Sequence, residues 1–174
     1  MSSSTAKPFA SKITAAVITV SDSCARGERE DLSGPAVADF LTKQGFAISI
    51  RETIADDRIQ IQNLLVRLAR EVQFVVSTGG TGVAARDVTP EATTAICDRL
   101  LDGVSERMRS EGAKKTPFAV LSRGVCGVRG KALILNLPGS PKAAVESLQS
   151  IADLIPHVID LLNGKTDHSE HNGM

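Results

Sequence analysis

The chain has 174 residues, 42% of them apolar, which suits one domain with a core of its own and disfavours two. Its twenty basic and twenty acidic residues cancel, and its five Phe residues stand apart with no Trp or Tyr, so no nucleic-acid partner is expected. Three scattered cysteines without a C-x-x-C pair fit a reducing, cytoplasmic setting, and no apolar run approaches the ~18 residues of a membrane span.

In chain order, residues 1–11 read as a flexible Ser-rich tail without the apolar stretch of a secretory signal. Ile13 to Val20 is a β-branched run expected to form a buried strand. Ser33 then offers an N-cap, with Val37, Phe40 and Leu41 on one helical face. Ala47 to Ile54 alternates as a second strand. Asp56-Asp57 can cap a helix whose stripe is Ile61, Leu64, Leu65, Leu68 and Val72. Gln73 to Ser77 is the third strand, and Thr89-Pro90-Glu91 reads as N-cap, first-turn proline and first-turn acid of the next helix. Ala119 to Ser122 and Ala132 to Leu137 are expected to be the last two strands. Ser140-Pro141 then starts a helix with Ala144, Leu148, Ile151 and Ile155 on one face, which Pro156 kinks or restarts before Gly164. Residues 165–174 form a flexible polar tail, whose His168 and His171 have no further ligands to make a metal site. Strands separated by helices predict a three-layer αβα sandwich with a mostly parallel sheet in a single domain over residues 12–164.

Ligands of such a sheet bind at the carboxyl ends of its strands. Every polar or glycine-rich cluster follows a predicted strand: Ser21-Asp22-Ser23, Asp56-Asp57, the loop Thr78-Gly79-Gly80-Thr81-Gly82 with Asp87 beyond it, Ser122-Arg123-Gly124, and Asn136 to Pro141. The glycine loop is equally suited to cradle a phosphate on backbone N–H groups and to make a tight turn at positive φ. It is not a Walker A loop, because no Gly-Lys-Ser/Thr closes it. Gly80 to Ala85 matches the loose pattern G-x-G-x-x-A, so an NAD-dependent oxidoreductase is a remote alternative. The match follows the third strand and runs into a fresh helix start, which is the wrong context. Asp56 and Asp87, beside the loop, are placed to hold Mg²⁺ against a triphosphate; alternatively Asp56 or Asp57 caps a helix and Asp87 caps or pairs with Arg86. Arg123 and Lys142 are candidate phosphate partners or plain surface charges, and Ser140 either caps its helix or receives an anion there. His157 lies far along the last helix, so a Ser-His-Asp hydrolase has no support.

This ordered series, from Val20-Ser21-Asp22-Ser23 through Arg86-Asp87-Val88-Thr89-Pro90-Glu91 to Asn136-Leu137-Pro138-Gly139-Ser140-Pro141, resembles the Mog/MoaB-type molybdopterin-binding family over about residues 12 to 164. Within the family it looks most like the molybdopterin adenylyltransferases. The resemblance implies transfer of AMP from ATP to the terminal phosphate of molybdopterin, with Asp56 and Asp87 catalytic and holding Mg²⁺. It further implies molybdopterin or nucleotide contacts at Ser21, Asp22, Ser23, Thr78, Gly79, Gly80, Thr81, Gly82, Pro90, Glu91, Ser122, Arg123, Asn136, Pro138, Gly139 and Ser140. A homotrimer and hand-over of the product to a molybdate-insertion protein are also implied. Ala55 stands where family members often carry proline, which questions the rigidity of that loop. The module also recurs inside larger proteins such as gephyrin, so a non-catalytic molybdopterin-binding or scaffold role is the alternative.

Overall fold

The computed structural model describes residues 12–165; the expected N-terminal tail and all of the expected C-terminal tail but Lys165, with His168 and His171, lie outside the described residues. The first strand, β1 (Thr14–Val20), leads through a one-turn helix α1 (Asp22–Ala25) to α2 (Ser33–Lys43) and β2 (Ala47–Ile54). Then follow α3 (Arg58–Glu71), β3 (Phe74–Thr78), α4 (Thr89–Ile96), β4 (Arg99–Leu100) and α5 (Asp102–Ala113). A 3₁₀ turn (Pro117–Leu121) precedes β5 (Cys126–Arg129), β6 (Ala132–Leu137), α6 (Pro141–Ile151) and α7 (Ile155–Leu162). The sheet order is β2-β1-β3-β6-β5-β4. Its first four strands pair in parallel and β5 pairs antiparallel with both β6 and β4, so β5 alone runs against the others in a mostly parallel sheet.

Strand periodicity divides the core. Ala15, Val17, Phe74, Val76, Leu133, Leu135 and Leu137 face α2, α6 and α7. Their neighbours Ala16, Ile18, Val20, Val75 and Ile134 face the α3 stripe on the other side. Central strands buried on both faces are near-continuous apolar runs for that reason, which is why they are legible as short β-branched stretches. The α3 residues Ile61, Leu64, Leu65, Leu68 and Val72 are all buried, as their spacing implies.

Three local expectations are corrected. Ser33 is not the cap of α2 but lies within it, and its hydroxyl shares a 2.7 Å hydrogen bond with Thr78. The capping role passes to Asp31, whose Oδ1 accepts the Gly34 N–H at 3.0 Å. Thr89 is likewise the first residue of α4, with no side-chain cap at Val88 before it. Residues 119–122 are no strand: the ladder-poor Pro117 opens a 3₁₀ turn, and Thr116 Oγ1 accepts the Phe118 N–H at 3.4 Å. The apolar run is exposed there, Phe118 by 74%, Val120 by 58% and Leu121 by 51%, so its hydrophobicity does not report burial. The antiparallel strands β4 and β5 and helix α5 carry no strong periodic signal and are additions to the sequence reading.

Leu65 is fully buried between α3 and the sheet. Leu65→Ala is expected to cost about 2–5 kcal/mol of stability, read as a lowered urea midpoint with an unchanged slope.

Candidate functional site

Parallel pairing brings the ends of β2, β1, β3 and β6 to one edge. The glycine loop is drawn tightly into that edge. The Gly79 N–H donates to the Leu137 carbonyl at 3.1 Å, and a Cβ on Gly79 would stand 2.2 Å from the Val20 carbonyl oxygen. With φ at 91°, Gly79 satisfies both demands at once. Gly80, at φ 66°, packs as closely: its Cβ position lies 2.2 Å from Thr89 Oγ1 and 3.0 Å from Asp56 Oδ1. The loop is therefore both a tight turn at positive φ and a wall of the site. The Gly79 N–H is spent on the sheet and is not free for an anion.

Asp56 is set by a reciprocal pair of hydrogen bonds. The Asp22 N–H donates to Asp56 Oδ2, and the Asp56 N–H donates to Asp22 Oδ1, both at 3.0 Å. The Ser21 N–H, donating to the Ile54 carbonyl at 2.9 Å, ties the same two loops together. This latch supplies the rigidity that Ala55 does not. Arg86 completes it by donating from Nε to Asp22 Oδ2 at 2.9 Å, so Arg86 pairs with Asp22 and not with Asp87. The Arg86 hydrogen bonds hold the Asp22 carboxyl below its ordinary range. Asp56 moves the other way: burial raises its pKa above 3.8, and the Asp22 and Asp87 charges add to the rise. Asp57, one residue on, is the helix cap, accepting the Gln60 N–H at 2.9 Å. Asp87 Oδ2 accepts the Ala84 N–H at 3.0 Å and closes the loop after Gly82.

A cavity of about 410 Å³ opens between these loops, lined by Ser21, Asp56, Thr78, Gly79, Gly80, Asp87, Gly139 and Ser140 among others. A second cavity of about 410 Å³ lies beside it between α5, α6 and the 3₁₀ turn; Ser122, Asn136 and Pro138 are part of its wall. The turn Pro138-Gly139-Ser140 therefore stands between them, Pro138 in the wall of the second cavity and Gly139 and Ser140 in the wall of the first. Ser122 and Arg123 reach the edge because antiparallel β5 begins there, not because a strand ends there.

The remaining expected site residues support these walls. Arg123 donates from Nε to the Gly82 carbonyl at 2.8 Å, from Nη2 to the Asp87 carbonyl at 2.7 Å, and pairs with Glu91, whose pKa it lowers. It braces the glycine loop. Asn136 is buried within β6; its amide donates to Ser77 and Thr93 hydroxyls and its carbonyl accepts the Val125 N–H. Ser23 and Asp22 belong to the one-turn helix, Thr81 and Pro90 are buried, and Lys142 lines neither cavity. Burial pushes the Cys97 thiol up to about 11 and the Cys126 thiol to about 12, so neither serves as a nucleophile at neutral pH. Among the described residues no group of three or more His, Cys, Asp or Glu is disposed to hold a metal by itself. Two hard carboxylates on adjacent loops suit Mg²⁺ that takes its other ligands from phosphate and water.

Residues 16–157 match the family model described as a probable molybdopterin binding domain. A molybdopterin adenylyltransferase of Helicobacter pylori is 42% identical over 154 residues, spanning 85% of this chain and 86% of its own. The molybdenum cofactor synthesis protein cinnamon of Drosophila melanogaster is 41% identical over 86% of this chain but only 26% of its own length. Among solved structures, the molybdopterin biosynthesis enzyme MoaB of Thermus thermophilus superposes with a TM-score of 0.83 at 44% identity, covering 88% of this chain and 98% of its own. No described helix is long and apolar enough to cross a membrane.

The raised pKa of Asp56 makes a stability prediction. Because the folded value lies above the unfolded one, the group favours the fold fully below 3.8 and loses that contribution as pH rises through the folded value. Asp56→Asn is therefore expected to melt higher than the parent at pH 7.5, with the margin shrinking as the pH falls toward 4. A variant that melts lower at every pH contradicts the assigned burial cost.

Proposed function

We propose, from the premise that this chain belongs to the probable molybdopterin binding domain family, that it transfers AMP from ATP to the terminal phosphate of molybdopterin and releases pyrophosphate. The observation that carries the reading is the juxtaposition of two cavities across Pro138-Gly139-Ser140, one acidic and edged by the glycine loop, the other walled by side chains such as Met108, Phe118 and Ala119. The first suits a nucleotide with its cation and the second a pterin, so the turn between them is where the two substrates would meet. Relatives named molybdopterin adenylyltransferase support the same assignment.

In the reaction an oxygen of the molybdopterin phosphate attacks the α-phosphorus of ATP, one Pα–O bond forms, the Pα–O bond to the β-phosphate breaks, and pyrophosphate leaves. The attacking phosphate is largely a dianion at neutral pH, so no general base is needed and the cavity requires no histidine among its described lining residues. Asp56 and Asp87 would hold Mg²⁺, which when bound would supply positive charge against the phosphates. The latch from Asp22 fixes Asp56, and Arg123 braces the loop carrying Asp87. An oxidoreductase is disfavoured because residues 83–88 separate the glycine loop from the first turn of α4, so no dinucleotide helix starts at the loop. The reading extends to a homotrimer, for which the exposed Phe118, Val120 and Leu121 offer apolar surface, and to a cytoplasmic setting with hand-over to a molybdate-insertion protein.

The test is pyrophosphate release with ATP, Mg²⁺ and molybdopterin, and mass-spectrometric detection of the adenylylated product. Asp56→Asn and Asp87→Asn are expected to lower turnover by about 10²-fold while leaving molybdopterin affinity nearly unchanged. Tight molybdopterin binding by the parent without product would instead make it a binding or scaffold module.

A further inference from the structure

The charges inside the acidic cavity do not balance. Its walls carry four carboxylates, Glu30, Asp31, Asp56 and Asp87, and a single basic side chain, Arg29. The other guanidiniums beside the site are committed, Arg86 to Asp22 and Arg123 to Glu91 and two loop carbonyls. Arg29 makes no ion pair or hydrogen bond among the described residues. Arg29 is solvent-exposed, so its five N–H donors are open at the rim of a cavity lined otherwise by carboxylates, hydroxyls, backbone and the apolar Val20, Cys24, Leu32 and Pro141.

The backbone that carries Arg29 is nevertheless fixed on both sides. One residue before it, the Glu28 N–H donates to the Ser23 carbonyl at 2.9 Å, and Gly27 takes the turn at φ 72°. Two residues after it, Asp31 accepts from the Thr19 hydroxyl at 2.7 Å and from the Gly34 N–H at 3.0 Å. The adjacent acid Glu28 is occupied by Arg26 and does not compete. A pinned loop thus presents an unpaired guanidinium at the rim of a cavity where every other ionised wall group repels phosphate. Sequence inspection gives no hint of this, since Arg29 sits in a run of mixed charges, Arg26 to Asp31.

We infer that Arg29 is the phosphate clamp of this cavity, binding the β- and γ-phosphates of a nucleoside triphosphate and so selecting triphosphates over monophosphates. The identity of the nucleotide rests on the adenylyl-transfer reading; the polyphosphate chemistry rests on the cavity alone. A guanidinium fork suits two phosphate oxygens at once, and Arg29 stands on a different loop from Asp56 and Asp87. After transfer the clamp holds pyrophosphate, not the adenylylated product.

Calorimetric titration of the full-length chain with inorganic tripolyphosphate and Mg²⁺, and separately with AMP, tests this in the parent, Arg29→Gln and Arg29→Lys. Arg29→Gln is expected to weaken tripolyphosphate binding by about tenfold, with Arg29→Lys recovering part of it, since lysine keeps the charge and loses the fork. AMP binding should stay within about twofold, and KM for ATP should rise more than kcat falls. Parental tripolyphosphate affinity in Arg29→Gln, or a parent that does not bind tripolyphosphate, overturns the inference. A parent that binds it through Arg29 but forms no adenylylated molybdopterin leaves the clamp standing and removes the adenylyl-transfer reading.

Discussion

The close approach of Gly79 to the ends of β1 and β6 is the constraint on which the rest of the site depends. A single side-chain atom there would meet the Val20 carbonyl, an atom of the sheet that has no freedom to move aside. Because the loop leaves β3 so tightly, Gly80 comes up against Asp56 and Thr89, and the return chain delivers Asp87 to the same cavity. The parallel sheet sets which chain ends are neighbours; the glycines set how near their loops can come.

Electrostatics sets the character of the site next. The chain as a whole is neutral, yet the cavity gathers carboxylates, and burial already disfavours the ionised form of Asp56. Arg86 neutralises Asp22, which frees Asp22 to act as a hydrogen-bonding anchor without adding a further uncompensated charge. What remains uncompensated at Asp56 is a cost to the folded protein. Functional sites commonly hold this kind of local disagreement between stability and use.

Most of the fold was legible in the sequence because the central strands are apolar on both faces and α3 carries an unbroken stripe. The edge of the sheet was not: β4 has two residues, β5 four, and Gly127 lies within the latter, too little to show a period. The apolar run at 118–121 misled for the opposite reason, being hydrophobic and exposed. At the site, Asp56, Asp87 and the glycine loop followed from their places after strands. The exchange of partners, Arg86 to Asp22 and Arg123 to the glycine loop, did not, because residues 64 or 41 apart in sequence meet only through sheet order. Asn136 and Glu91 belong to the same class: motif residues whose side chains brace the loops from behind.

The central claim is that backbone closeness at the glycine loop builds the catalytic geometry, and Gly80→Ala tests it most directly. The added methyl would press on Asp56 Oδ1 and Thr89 Oγ1, side-chain atoms that can yield, so the protein should fold with a lowered melting temperature. Adenylyl transfer to molybdopterin, followed by pyrophosphate release, is expected to fall by at least about tenfold in that folded variant, since small misplacements of a catalytic group are costly. A folded Gly80→Ala protein that turns over at the parental rate would contradict the account.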